Sequence, residues 1–375
     1  MKKSFTVQIH TGGFDASPED IDVSAALEKL TRLYEKANID CVMLGWNPKA
    51  NVDEIIDFLK QRGIEVYLWL PVFSGLDGFA PLIGTDGTPV VHSYKAEKGE
   101  RFDFGCPANP DNIEHIKNSF ETNFGNGHYD GIFLDKIRFP SFISGTSPVF
   151  SCFCPYCSPI HKLTGDFELS DGENPLSISS YNDLKYKIDD ERLAALFAYK
   201  AGVVTSAILQ LIEYFREKGF KIGLDLFAPY LSFFVGQDYA KLAPHADFIK
   251  PMFYRKTNAP AGLPFELDMY AAAFGGSRDM IEKRKHYLLS ILNAKEIDAG
   301  FINREINDIN NVLGKCKHYA GIEINYNDRI AQITAEYIEE NITRLKNVDG
   351  FALSWDLCST PDENINAVLN AIERI

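Results

Sequence analysis

The sequence predicts an α/β fold, a single (β/α)8 TIM barrel with long loops after its third, fourth and sixth strands. Three observations carry this. Short apolar runs alternate with longer amphipathic ones along the chain, the pattern of βα units around a parallel sheet. The short runs number eight, the count that closes a barrel. No Gly/Ser linker or shift of composition divides the 375 residues, so one domain covers 1–375, a length such barrels reach. A doubly wound open sheet is the alternative, but His10-Thr11-Gly12-Gly13-Phe14 after the first strand lacks the G-x-G-x-x-G spacing of that fold's phosphate turn.

The elements follow in order. Phe5 to Ile9 reads as the first strand. Asp20 to Ala37 carries Ala26, Leu27, Leu30, Leu33 and Tyr34 at helical spacing. Cys41 to Leu44 is the second strand, and Val52 to Gln61 its helix, closed by Arg62-Gly63. Glu65 to Leu70 is the third strand. A long loop runs to Asn109, and Pro110 opens the next helix at the position proline prefers. Gly131 to Leu134 is the fourth strand. A cysteine-bearing insertion at about 136–190 follows, long enough to suggest function rather than connection. Leu193 to Lys218 is a helix, and Lys221 to Leu226 and Asp247 to Met252 are strands five and six. Met280 to Leu292 and Asn303 to Cys316 read as helices, Gly321 to Ile324 as strand seven, and Ile330 to Leu345 as its helix. Gly350 to Leu353 is strand eight, and Pro361 to Ile375 closes the chain.

Composition narrows the partners. Apolar residues are 45% and charged residues 24%, enough to bury a large core without disulfides. The net charge of −14 repels phosphate backbones and anionic lipids, which argues against nucleic-acid and membrane-surface roles. No apolar stretch reaches the roughly 20 residues of a membrane span. Met1 to His10 lacks the apolar run of a signal peptide, so a cytoplasmic location is expected. Seven cysteines fit poorly with a fully paired secreted framework.

In such barrels chemistry sits at the C-terminal ends of the strands. Those ends supply His10, then Trp46 and Asn47, Trp69, Asp135 and Arg138, Asp225, Lys250 and Tyr254, Glu323 and Asn325, and Trp355 and Asp356. Carboxyl groups and aromatic platforms in one ring suit a carbohydrate: glycoside cleavage needs two carboxyls flanking the bond. Asp135, Asp225 and Glu323 are the catalytic candidates. His10, Trp46, Asn47, Arg138, Lys250, Tyr254, Asn325, Trp355 and Asp356 are the substrate-binding ones. Simpler roles stand beside these. Asp225 can salt-bridge Lys250 inside the barrel, Asp356 can cap the following turn, and His10 can be a satisfied hydrogen-bonding residue. Asp135 has the strongest claim, because it ends a clean apolar strand and opens the longest loop.

Cys152-Phe153-Cys154-Pro155-Tyr156-Cys157 places three thiols within six residues. Such a set suits a tetrahedral zinc ion lacking one ligand. Cys106, in the loop before the third helix, and His161 compete for the fourth position. A four-cysteine site has no open coordination position, so its zinc is structural. No P-loop, H-E-x-x-H or nucleophile-elbow motif occurs, and no organic cofactor is expected.

Two stretches carry a family resemblance. Tyr129 to Pro140, reading Y-D-G-I-F-L-D-K-I-R-F-P, resembles the strand-four motif of the hypothetical glycoside hydrolase-like barrels. The resemblance implies that Asp135 is the catalytic carboxylate and that Arg138 is the motif's arginine. Ala246 to Tyr254 looks like their strand-six segment. Cys106-Pro107-Ala108-Asn109-Pro110 with Cys152, Cys154 and Cys157 is similar in order and spacing to the structural zinc site of the four-cysteine β-galactosidase family. That family uses an Asn-Glu pair after strand four, where this chain has Leu134-Asp135, so its reaction is not carried over; Glu323 falls where its nucleophile would be. The reading that results is a glycoside hydrolase, with an inactive carbohydrate-binding barrel, or a lyase or aldolase using Lys250, as alternatives.

Overall fold

A computed structural model of the protein describes residues 3–96, 100–164 and 169–375. Eight parallel strands close a barrel in chain order: β1 (Ser4–Ile9), β2 (Asn38–Leu44), β3 (Glu65–Pro71), β4 (Gly131–Asp135), β5 (Lys221–Phe227), β6 (Phe248–Met252), β7 (Lys317–Glu323) and β8 (Gly350–Ser354). Pairing of Phe5 with Phe351 joins β1 to β8 and completes the ring. Strands covered on both faces read as unbroken apolar runs, and all five residues of β4 and of β8 are buried. Large rings fill the centre. Phe133 stacks on Phe248, which meets Tyr67 and Tyr319 edge-on. Gly223 makes room for them, because a Cβ there would lie 2.3 Å from Phe248.

The outer layer holds α1 (Val23–Tyr34), α2 (Asp53–Lys60), α3 (Pro110–Phe124), α4 (Glu191–Glu217), α5 (Leu263–Ala273), α6 (Arg278–Ile291), α7 (Ala299–Asn310), α8 (Ala335–Arg344) and α9 (Asp362–Ile372). Contrary to the expectation that no stretch is long and apolar enough to span a membrane, α4 is so by length and composition; in this fold it buries Leu193, Leu196, Phe197, Val204, Ile208 and Leu211. Between β5 and β6 there is no full helix. The chain turns instead through Pro229–Ser232 and Tyr239–Leu242, four residues each, with Gly236 at φ 80° between them.

The structure departs from the sequence-based expectation in several places; among them, the helix expected from Ile330 begins at Ala335 and the second strand begins at Asn38. β7 begins at Lys317, not Gly321, and α7 ends at Asn310 rather than continuing to Cys316. His318 and Tyr319 hid this strand start, although both are buried. α5 was not expected; apolar residues surround nearly all of it, so it shows no helical stripe. The insertion contains an antiparallel hairpin, Ile178–Asn182 with Lys185–Ile188. Its two turn residues, Asp183 and Leu184, both have positive φ, the twist a two-residue hairpin turn demands.

One buried carboxyl ties the insertion to the barrel. Glu305 of α7 accepts hydrogen bonds at Oε1 from the Tyr181 hydroxyl of the hairpin (3.0 Å) and from Tyr230 N after β5 (2.8 Å). Its Oε2 has no partner among the described residues. Burial pushes its carboxyl up to about 8. A carboxyl raised in the folded state binds a proton that the unfolded chain releases, so its contribution is lost as pH climbs from about 4.5 to 8. Glu305→Gln keeps the acceptor and removes the charge. The variant is expected to be more stable than wild type by roughly 2–4 kcal/mol at pH 8.5 and equal to it near pH 4.5. Denaturant melts across that range check this; parallel pH curves would show that Glu305 is not held neutral.

Candidate active site

A cleft opens at the C-terminal end of the strands. Asp135 ends β4 opposite Pro71 of β3. Because Leu134 pairs with Leu224, Asp225 stands one step further along β5, level with Asp135 on the neighbouring strand. Both line the cleft.

Asp135 is fixed at both oxygens. Trp69 Nε1 donates to Oδ2 at 2.9 Å and Lys136 N donates to Oδ1 at 2.5 Å. The second bond requires the chain to turn sharply after β4, and Lys136 takes φ 51° to do so, a left-handed conformation that side chains other than glycine rarely adopt. The Lys136 ammonium then reaches Glu100 and Arg101 O, both at 2.8 Å. That contact draws the loop after β3 over the cleft.

Asp225 lies deeper, 2% exposed. Lys250 Nζ donates to its Oδ2 at 2.9 Å, to Gln8 Oε1 at 2.9 Å and to the Tyr254 hydroxyl at 2.7 Å. Burial raises the Asp225 carboxyl to about 7 despite the ammonium, and the charge of Asp135 adds to the rise. Arg138 also lines the cleft, its guanidinium 4.6 Å from the Phe104 ring centre and 4.3 Å from that of Phe227. Burial lowers it to about 10. Trp69, Tyr94, Phe102, Phe227, Tyr254 and Trp355 give the cleft an aromatic surface.

The other expected site residues lie elsewhere. Trp46 is 1% exposed and packs edge-on against Trp69 and His10, so the ring on the cleft is Trp69. Asn47 donates to Thr11 O and Ser17 O and holds the loop after β1. Asp356 accepts from His10 N, Cys358 N and Ser359 N, the capping role. Asn325 is buried with its Oδ1 unpaired among the described residues. Glu323 is fully buried and does not line the cleft. It accepts from Lys256 N, Thr257 N, Thr257 Oγ1 and the Tyr337 hydroxyl at 2.6–3.2 Å. Glu100, Tyr94, Phe102 and Lys136 were missed by sequence reasoning. Only Lys136 carried a signal, as the residue next to Asp135 in a recognisable motif.

Beside the cleft, the sulfurs of Cys106, Cys152, Cys154 and Cys157 lie within 4.8 Å of one another, a cluster able to hold one metal ion. Cys106 Sγ is 3.7 Å from Cys154 Sγ and 3.6 Å from Cys157 Sγ. His161 is not part of the cluster. Its Nε2 meets Cys152 O at 2.8 Å and its ring stacks on Phe153. Ile83 N and Cys154 N both donate to Cys152 Sγ.

No protein-family profile matches the chain, and no curated protein matches it in sequence. Solved structures do match. The PgaB (BpsB) glycoside hydrolase domain from Bordetella bronchiseptica aligns over 99% of this chain and 97% of its own, with a TM-score of 0.56 and 15% identity. The fold is one that glycoside hydrolases use. The β-galactosidase of the psychrophilic Marinomonas ef1 aligns with a TM-score of 0.54 and 11% identity, over 99% of this chain and 59% of its own. The β-galactosidase of Rahnella sp. R3 aligns with a TM-score of 0.50 and 11% identity, over 100% and 56%. This chain therefore spans a little over half the length of those two enzymes.

The placement of Glu323 gives a prediction. Glu323→Ala strands two backbone N–H groups and the Tyr337 hydroxyl in the interior, and is expected to lower stability by about 3 kcal/mol. Urea unfolding checks this, and a change under about 1 kcal/mol would show that the network contributes little.

Proposed function

We propose that the protein is a glycoside hydrolase whose reaction runs between Asp135 and Asp225 at the floor of the cleft. The observation that supports this most is the unequal pair of carboxyls. They stand level on adjacent strands, and one of them is able to hold a proton near neutral pH. Such a division of environments separates an acid from a base. Asp225, held up to about 7, donates the proton to the leaving oxygen. Asp135, gripped by Trp69 and Lys136, attacks the sugar or activates water. The aromatic walls stack against sugar rings, and Tyr254 and Trp355 narrow the cleft opposite Asp135. Glu323 serves the scaffold in this reading, since its oxygens already accept four hydrogen bonds. Lys250 is a charge partner. An amine nucleophile needs a free lone pair, whereas this nitrogen donates three hydrogen bonds.

The four cysteines hold a structural zinc ion in the same reading. Four sulfurs bound tetrahedrally at about 2.3 Å stand roughly 3.8 Å apart, close to the separations at Cys106. Donation by Ile83 N and Cys154 N to the Cys152 sulfur suits a thiolate. The ion joins the loop after β3 to the loop after β4, and it takes no part in catalysis.

Two experiments test this. On a panel of aryl glycosides and oligosaccharides, Asp135→Asn is expected to lose about 10³-fold in kcat/KM with unchanged melting. Wild-type kcat/KM is expected to fall as pH rises through about 7, where Asp225 loses its proton. Silence of a well-folded wild type across the panel would favour a binding-only barrel. For the metal, elemental analysis of purified protein is expected to find one zinc per chain, absent in Cys154→Ser together with a lower Tm. Purified wild type that carries no metal, or whose Tm does not change when the metal is stripped, would remove the assignment.

A further inference from the structure

We infer that the sugar taken by this cleft carries a carboxylate, as a uronic acid does, and that Arg138 is the residue that grips it. The inference rests on the proposed carbohydrate site and names the class of sugar.

Arg138 is 3% exposed, yet no carboxylate forms an ion pair with it among the described residues. Its one hydrogen bond runs from Nη1 to Phe139 O at 3.1 Å. A guanidinium has five N–H donors, so most are unused. Buried arginines are ordinarily paired, because an uncompensated charge in the interior is costly. Lys136, another cation on the cleft, follows that rule through Glu100. Nearby carboxylates do not complete Arg138. Glu266 accepts from Ser141 Oγ and Ala261 N, Asp135 is held by Trp69 and Lys136 N, and Asp225 by Lys250.

The guanidinium is also pre-set. Phe104 and Phe227 hold its carbon within 4.6 Å of their ring centres, so little rotational freedom remains to be lost on binding. The rings supply no acceptor, and Nε and Nη2 are not sealed inside the protein without partners. A planar fork of donors beside a cleft matches a carboxylate through two parallel N–H···O bonds. Carboxylates at Glu266, Asp135, Glu100 and Asp225 favour the charge from a distance, but none pairs with the guanidinium directly, and a neutral sugar, offering only hydroxyls, would leave it so. A uronate supplies the missing anion on a ring that the aromatic walls can stack against.

Binding measured without turnover separates this from the hydrolase proposal. Calorimetric or saturation-transfer titrations would use glucuronate, galacturonate and mannuronate, and short oligouronates, against the matching neutral sugars. Uronates are expected to bind roughly tenfold or more tightly than their neutral counterparts. Arg138→Gln is expected to erase the preference, while Arg138→Lys retains part of it; both are checked for normal melting. Equal or better binding of neutral sugars, absence of binding by any uronate, or a preference that survives in a folded Arg138→Gln would overturn the inference. Hydrolysis of neutral glycosides with no uronate preference would overturn it and leave the hydrolase proposal standing. Uronate binding without turnover of any glycoside would do the reverse.

Discussion

The Lys250 ammonium is the constraint around which the active face is arranged. It is wholly buried, and a charge in that position must be matched by acceptors or the barrel does not close around it. Its three acceptors come from β1, β5 and the turn after β6, so one nitrogen ties three separate parts of the ring. The match also governs the chemistry. Asp225 has to face inward beside Lys250, which places it level with Asp135. The burial that makes the pair necessary is what lifts the Asp225 carboxyl toward neutrality.

The barrel was legible in the sequence because strands enclosed on both faces leave an unmistakable trace: Gly131 to Asp135 and Gly350 to Ser354 are apolar almost throughout. The cysteine cluster was legible for another reason, since metal ligands must recur at short spacings on one loop. What stayed hidden was direction. Strand ends show which residues reach the active face, and not which way each side chain turns. Trp46 turned behind Trp69, Glu323 turned toward the backbone of Lys256 and Thr257, and Asp356 turned back on its own loop. Glu100 and Phe102 were invisible because their position depends on a contact with Lys136, about thirty-five residues away in the chain. β7 was read short because its opening residues, Lys317 and His318, look polar, although His318 is buried and Lys317 lies exposed at the strand's start.

The cleft is thus built from two unlike materials. Its floor is strand and follows from the barrel's register. Its wall is loop, and long-range contacts hold it in place: Lys136 to Glu100, Ile83 to Cys152, and Phe153 to Ile83. Asn112 of α3 adds a further clamp, exchanging hydrogen bonds with both backbone groups of Ala80. The loop after β3 carries Tyr94, Glu100 and Phe102 and the loop after β4 carries Arg138, so both contribute cleft residues.

The gathering of four sulfurs between those loops separates two histories within one molecule. A wall pinned at a few points, away from the barrel's interior, can exchange its ligand-facing residues while its anchors stay put. Tyr94, Glu100 and Phe102 sit on that wall only half-buried, and none belongs to the packed centre formed by Phe133, Phe248 and Tyr319. Single substitutions there can change the surface of the cleft with the packed centre of the barrel untouched. Asp225 beneath has no such latitude, because moving it would unseat Lys250. In this architecture the wall is the layer free to vary, and the strand-built floor is the fixed one.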